Sequence, residues 1–109
     1  MKIYDTANKL ANEIKKSQEY LQYKEMKEVV SNNEYLKSQV DEFEKNRYLT
    51  QISKMQGEDL KEKNIQLEEM YKELIQNEQI KDYFEKEVKF NMLLADVNKI
   101  IAESVKDVL

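Results

Sequence analysis

The stretch "FNMLLADVNKII", residues 90–101, is the least polar segment of its length in the chain and is the main guide to the fold. Its large apolar residues recur mostly at steps of three and four, which predicts one broad apolar face on a helix. These residues are Phe90, Met92, Leu93, Leu94, Val97, Ile100 and Ile101. Because the rest of the chain is rich in charge, this face needs a packing partner.

The composition favours an all-α protein. Charged residues make up 37% of the chain and apolar residues 40%, with no proline and a single glycine. Proline and glycine are the residues least compatible with a helix interior, whereas the abundant Glu, Lys, Gln and Leu are good helix formers. The apolar residues are also periodic, which distinguishes the chain from a disordered one. We therefore predict a single helical domain over residues 1–109.

Polar capping residues place the first helix boundaries. A first helix is predicted over about residues 3–15, with an apolar stripe spaced by four, three and four residues. Ser17 follows it and is expected to cap the second helix by accepting a hydrogen bond from a free backbone N–H. The stripe consists of Ile3, Ala7, Leu10 and Ile14.

The start of the third helix, predicted over about residues 34–56, has more than one possible cap. Ser31 and Glu34 have the spacing of a capping box, in which each side chain bonds to the other's backbone N–H. Asn32 or Asn33 could cap this helix equally well. The sequence leaves these alternatives open.

The boundaries of the fourth helix, predicted over about residues 60–76, follow from three further signals. Gly57 is the only glycine in the chain, and it suits the left-handed conformation that often follows a helix. Asp59 and Glu62 have capping-box spacing at the start of the fourth helix. Asn77 then interrupts the pattern and is expected to cap a fifth helix.

The fifth helix, from about Glu78 to near residue 109, is predicted to be some thirty residues and therefore about 45 Å long. A compact domain of this size has a radius of gyration of only about 13 Å. We therefore predict an elongated bundle of about five helices with a long C-terminal helix. Part of its apolar face is expected to pack on helices three and four, and the rest on a second chain, with Leu93, Val97 and Ile100 as candidate contacts.

No catalytic or ligand-binding motif is present. Without histidine or cysteine, the chain lacks a Cys–His pair, a Ser-His-Asp triad and the soft ligands of transition-metal sites. A single glycine excludes the phosphate-binding loops that need several. The clustered carboxylates at Glu68, Glu69 and Glu73 are expected on solvated helix faces. We predict that the protein is not an enzyme and binds no cofactor or metal.

Charge and hydropathy bound the cellular context. The net charge is −4, with lysines and glutamates interleaved, whereas binding to nucleic acid requires a basic patch. The longest uninterrupted apolar run, residues 92–95, is far too short to span a membrane. The absence of cysteine suits a reducing compartment. We predict a soluble cytoplasmic protein that neither binds nucleic acid nor inserts into a membrane.

Three segments resemble the YlbF/YmcA/YheA family of bacterial proteins. They are "YDTANKLANEIKKSQEY" at residues 4–20, "FEKNRYLTQISKMQGEDL" at residues 43–60 and "LLADVNKII" at residues 93–101. The most distinctive parts are "KMQGEDL" and "ADVNKII", which look closest to the YheA-like branch. The resemblance implies a small all-helical cytoplasmic protein that forms dimers or larger assemblies.

In the better-studied branches, the resemblance implies regulatory protein complexes that affect competence, sporulation, biofilm formation and RNA processing. Some relatives carry cysteines linked to iron–sulfur clusters, and this chain has none, so cluster binding does not carry over. Our first hypothesis is a regulatory homo-oligomer that acts by binding other proteins. The alternative is a chaperone-like or purely structural helical module without a dedicated partner.

Overall fold

Helices account for nearly the whole chain, as the composition predicts. The computed structural model describes residues 1–109 and contains five α-helices, one turn of 3-10 helix and no strand. The all-α prediction is therefore confirmed. The elements are α1 (Lys2–Lys16), α2 (Gln18–Ser31), α3 (Glu34–Met55), α4 (Lys61–Leu74), α5 (Glu78–Ser104) and the 3-10 turn (Lys106–Val108).

Two helix starts are capped by the residues that the sequence indicates. The Ser17 hydroxyl accepts a hydrogen bond from the Tyr20 backbone N–H at 3.2 Å at the start of α2. The Asn77 side-chain oxygen accepts from the backbone N–H groups of Gln79 at 2.9 Å and Ile80 at 3.1 Å at the start of α5. Both predictions are confirmed.

The cap of α3 is Asn33, and the Ser31 capping box is wrong. Asn33 has the extended backbone of a cap, with φ −122° and ψ 111°, and its side chain accepts from the Leu36 backbone N–H at 3.1 Å. Ser31 is instead the last residue of α2. The reason is that a capping residue must leave the helical conformation, and α2 continues through Ser31.

The turn between α3 and α4 follows the glycine prediction but not the capping-box prediction. Gly57 has φ +76° directly after α3, in the left-handed region. The Asp59 carboxylate accepts from the Lys61 backbone N–H at 3.1 Å. The capping residue, however, is Leu60, whose side chain cannot accept a hydrogen bond, so the expected Asp59–Glu62 box does not form.

The core is small and lies where the ends of α2 and α4 meet the first halves of α3 and α5. Ten of the 109 residues are buried, and eight of these form one apolar cluster. Seventeen large apolar side chains remain exposed, so most of the apolar surface lies outside the core. The cluster consists of Val30, Leu36, Val40, Phe43, Leu74, Ile80, Tyr83 and Phe84.

The main packing partner of α5 is α2, which corrects the prediction that residues from Phe90 onward pack on the third and fourth helices. The Phe90 ring lies 5.8 Å from that of Tyr20 and 5.7 Å from that of Tyr23, both on α2. Helices α3 and α4 reach α5 nearer its start, where Phe84 contacts Phe43. Periodicity identifies the apolar face of a helix but not the helix that covers it.

The molecule is flat and extended. Its dimensions are 46 × 37 × 18 Å and its radius of gyration is 17.5 Å, compared with about 13 Å for a compact domain of similar length. The 27 residues of α5 make a helix about 40 Å long, slightly shorter than predicted because it ends at Ser104. This shape leaves long helix faces without an intrachain partner.

Candidate protein-interaction surface

The two halves of α5 have opposite environments. In the first half, Ile80 is only 1% exposed within the core. In the second half, residues 93–104, Ile100 is 71% exposed although it belongs to the least polar stretch of the chain. We call residues 93–104 the distal half of α5. Its last large apolar side chains, Ile100 and Ile101, are left exposed by their own chain.

A second apolar surface, only partly covered, lies on α1. Its stripe, Ile3, Ala7, Leu10 and Ile14, has regular helical spacing, and no residue of α1 is buried, although Leu10 and Ile14 are half-buried. Ile3 is 63% exposed. The main intrachain neighbour of α1 is α2, the next helix in sequence. We call these four residues the α1 stripe.

The three residues predicted to mediate self-association lie on the distal half of α5. Leu93 and Val97 are half-buried, whereas Ile100 is exposed. Steps of four and three residues place all three on one side of the helix. The chain therefore covers the beginning of this surface partly and leaves its end open. Their contact with a second chain stays a prediction.

The total accessible surface is large for a chain of this mass. The protein exposes 8910 Å², whereas a compact monomer of 13.1 kDa exposes about 6,400 Å². The excess is roughly 2,500 Å². One partner contributes about 800 Å² to a protein interface of standard size. The uncovered surface is thus ample for a stable interface.

An aromatic cluster marks the boundary between the covered and the open part of α5. Tyr23 of α2 lies 5.7 Å from both Tyr83 and Phe90 of α5, measured between ring centroids. Tyr20 contacts Phe90 edge-on at 5.8 Å. Such tilted and edge-on pairs add to the stabilisation from apolar burial. Phe90 is the last residue of α5 that makes an aromatic contact with α2.

One buried carboxylate ties three helices together beside this cluster. Glu87 of α5 is 8% exposed. It accepts hydrogen bonds from the Tyr23 hydroxyl of α2 at 3.3 Å and from the Arg47 guanidinium of α3 at 3.3 Å. Arg47 also pairs with Glu44 and lies over the Phe43 ring. The carboxylate is satisfied by its neighbours and holds α2, α3 and α5 in place.

This network was not predicted, although the sequence carries two signals of it. Glu87 interrupts an otherwise apolar series on α5, where a charged side chain needs a partner if it is to be buried. Arg47 is the only arginine in the chain, and arginine suits partly buried ion pairs better than lysine does. Neither signal names the partner, because 40 residues separate the two in sequence.

The pKa shifts within this network indicate that it holds the fold together. Burial raises the pKa of Tyr23, and the neighbouring side chains of Tyr83 and Glu87 add to the shift. Burial likewise raises the pKa of Tyr83. Burial alone would lower the pKa of Arg47, but the carboxylates of Glu44 and Glu87 raise it above its ordinary value. All three groups are held in the protonation states they have near neutral pH.

A groove between α3 and α4 is the largest cavity, about 450 Å³ in volume. Its floor includes Ser53, which is buried and accepts a hydrogen bond from the Lys63 ammonium. That ammonium also lies 3.4 Å from the Glu58 carboxylate. The pKa of Glu58 is lowered by the neighbouring Ser53 hydroxyl and by Lys63. These polar groups satisfy one another and connect the two helices across the Gly57 turn.

The structure contains neither a cluster of metal-binding side chains nor a helix that could span a membrane. No three residues of the types His, Cys, Asp and Glu lie close enough together to hold a metal ion. No helix combines the length and the apolar character needed to cross a membrane.

The fold and its surfaces define a small all-helical protein whose most distinctive feature is exposed apolar helix surface. Residues 3–106 match the family described as "Control of competence regulator ComK, YlbF/YmcA". The chain belongs to this family. The resemblance seen in the sequence is therefore confirmed.

Several relatives called UPF0342 proteins match over nearly their full length. The relative from Halothermothrix orenii is 37% identical over 93% of this chain and 86% of its own length. The one from Symbiobacterium thermophilum is 36% identical over 94% of this chain and 93% of its own. The one from Caldicellulosiruptor saccharolyticus is 34% identical over 94% of this chain and 87% of its own.

Proposed function

We propose that this protein is a non-enzymatic helical homo-oligomer that acts in regulation by binding other proteins. The observation that carries the proposal is the incompletely covered apolar surface, formed by the α1 stripe and the distal half of α5. It lies on a chain that exposes roughly 2,500 Å² more than a compact monomer. Monomeric proteins rarely leave large contiguous apolar patches exposed. A protein partner removes this surface from water.

The regulatory part of the proposal draws on the family. Its description, the control of competence regulator ComK, names a regulatory process. The buried Glu87 is engaged by Tyr23 and Arg47, and the groove between α3 and α4 is lined by polar groups that pair with each other. The one buried carboxylate and the paired polar groups of the groove thus hold the fold, which supports a binding role.

Self-association is tested by sedimentation equilibrium at micromolar concentration. We expect the wild type to sediment as a dimer or larger species and Ile100→Glu to sediment as a monomer, because the substitution would place an unpaired charge in the interface. Ala95→Glu is the matched control, since Ala95 lies on the exposed opposite side of the same helix. A wild type that remains monomeric would overturn the proposal.

The binding role is tested by capturing partners from the native cell with the wild-type oligomer. A few partners in stoichiometric amounts support a regulatory module. A broad set of unfolded proteins would support the chaperone-like alternative instead. Ile100→Glu and Ala95→Glu serve as a pair here as well, because partners that require the oligomer are lost only with the first.

A further inference from the structure

The apolar series on α5 is continuous, although only its first part is covered. Its positions alternate in steps of three and four residues along the whole helix, a heptad pattern typical of helices that pack lengthwise on one another. Up to Phe90, α2 and the core cover these positions. The positions on α5 are Ile80, Tyr83, Glu87, Phe90, Leu94, Val97, Ile101 and Ser104, of which only Glu87 and Ser104 are polar.

The covered part fixes the direction and the register of packing. Tyr23 of α2 bonds to Glu87 of α5, and Tyr20 contacts Phe90. From the first pair to the second, the residue number falls by three on α2 and rises by three on α5. The two helices are therefore antiparallel. A helix that continued this register beyond Tyr20 would have α1 residues opposite the distal half of α5.

The α1 stripe matches that series in spacing. Continued within one residue, the register places Ile14 opposite Val97 and Leu10 opposite Ile101. Ala7 falls opposite Ser104, where two small side chains let the helices approach closely.

In the folded chain, however, α1 does not follow this path. At Ser17 the backbone is extended, with ψ 151°, so α1 and α2 do not form one continuous helix. The main contacts of α1 are with α2, and Val108 is 79% exposed. Two complementary surfaces of one chain therefore remain apart.

The bend at Ser17 is stabilised from both sides. The Ser17 hydroxyl donates to the Ile14 carbonyl at 2.6 Å and accepts from the Tyr20 N–H at 3.2 Å. Laying α1 on the α5 of its own chain requires a different backbone at this residue and would disrupt these bonds. The α1 of a second copy can lie on this surface with its own bend intact, in a reciprocal contact that forms twice around a twofold axis. Its antiparallel register then rests on the match between the two apolar spacings and not on continuity with α2.

We infer that α1 of one copy packs antiparallel on the distal half of α5 of a second copy, and that the second copy returns the same contact. This inference rests on the self-association in the proposed function and names the surfaces that form it. Both surfaces extend beyond a single seam, since Tyr4 on α1 and Ile100 on α5 flank the stripes and are exposed. Two α1 helices and two distal halves of α5 together form a four-helix contact around a twofold axis.

The absence of cysteine allows a direct test by disulfide cross-linking. Leu10→Cys is made in one chain and Ile101→Cys in another that carries a size tag, and the two proteins are unfolded together, refolded and oxidised mildly. We expect a disulfide between the two different chains. Ile14→Cys with Val97→Cys forms a second pair in case the first weakens folding. Asn12→Cys with Ile101→Cys is the control, because Asn12 lies on the exposed side of α1, and we expect little cross-linking.

The double variant Leu10→Cys/Ile101→Cys in a single chain separates contact between copies from closure within one copy. Contact between copies gives covalent dimers on a non-reducing gel, whereas closure of α1 on its own α5 gives monomers with an internal disulfide, which would overturn the inference. A wild type that is oligomeric by sedimentation but gives no α1–α5 disulfide in either pair would also overturn it, and the proposed homo-oligomer would stand. A monomeric wild type would overturn both.

Discussion

At Gly57 the backbone takes φ +76° immediately after α3, a conformation that a β-branched residue adopts only with strain. A Cβ added there meets no atom within 4 Å, so a substitution reports backbone conformation alone. We expect Gly57→Val to reduce the free energy of unfolding by about 1 kcal/mol or more and the melting temperature by roughly 4 °C. Gly57→Asn should cost less, because asparagine tolerates this region. An unchanged melting midpoint for the valine variant would contradict this account of the turn.

At Tyr23 the prediction concerns alkaline pH. Burial raises its pKa above the ordinary value of 10.0, so the folded state holds the phenol proton more tightly than the unfolded state does. The resulting stability is fully present below about pH 10 and is lost as the pH rises above that value. We expect Tyr23→Phe to flatten the decline of the urea unfolding midpoint between about pH 9 and pH 11. Tyr35→Phe, at an exposed position, should leave the slope unchanged, and a slope unchanged in both variants would contradict the prediction.

The residues at this scale show what a sequence can and cannot predict. Gly57 could be placed because a lone glycine after a helix has one common use. The role of Glu87 could not, because burying its carboxylate depends on Tyr23 and Arg47, which come from two other helices. Local rules act through neighbours in sequence, whereas this network is formed only by tertiary packing.

Among the helix boundaries, the start of α5 depends most clearly on a single side chain. Asn77 satisfies two backbone N–H groups at once, those of Gln79 and Ile80. We expect Asn77→Ala to lower the free energy of unfolding by about 1 kcal/mol. Asn91→Ala, at an exposed position within the same helix, should be neutral or slightly stabilising, since alanine is the better helix former. Equal urea unfolding midpoints for the two variants would show that the cap contributes nothing.

The helices and most of their caps were predicted correctly, whereas the helix that packs on α5 was not. Ser17 and Asn77 cap as expected because capping acts within one helical turn. The choice between Ser31 and Asn33 depended on where α2 ends, which two adjacent asparagines left open. The predicted partner of α5 was wrong, since Phe90 contacts α2 and not the third or fourth helix. The sequence could not identify this partner because a broad apolar face is compatible with several neighbours.

For the whole molecule, the length of α5 predicted an extended shape, and the dimensions of 46 × 37 × 18 Å agree with it. The least polar stretch is not the centre of the core. Ile80 and Phe84 are buried, whereas Ile100 within "FNMLLADVNKII" is largely exposed. Hydropathy identifies surface that must avoid water. It does not specify whether the same chain or another one covers that surface. The proposed function depends on coverage by another chain.

If a second copy covers this surface, stability must depend on protein concentration, because dissociation then accompanies unfolding. We expect the melting temperature of the wild type to rise by roughly 3–5 °C for each tenfold increase in concentration. Ile100→Glu should melt at a lower temperature that no longer varies with concentration. Leu36→Ala, in the core of a single chain, should lower the melting temperature at every concentration. The melting temperature of this variant should still rise with protein concentration. The prediction would be contradicted by a wild-type melting temperature that stays constant over roughly a hundredfold range of protein concentration. A single chain would then provide the whole stability of the fold.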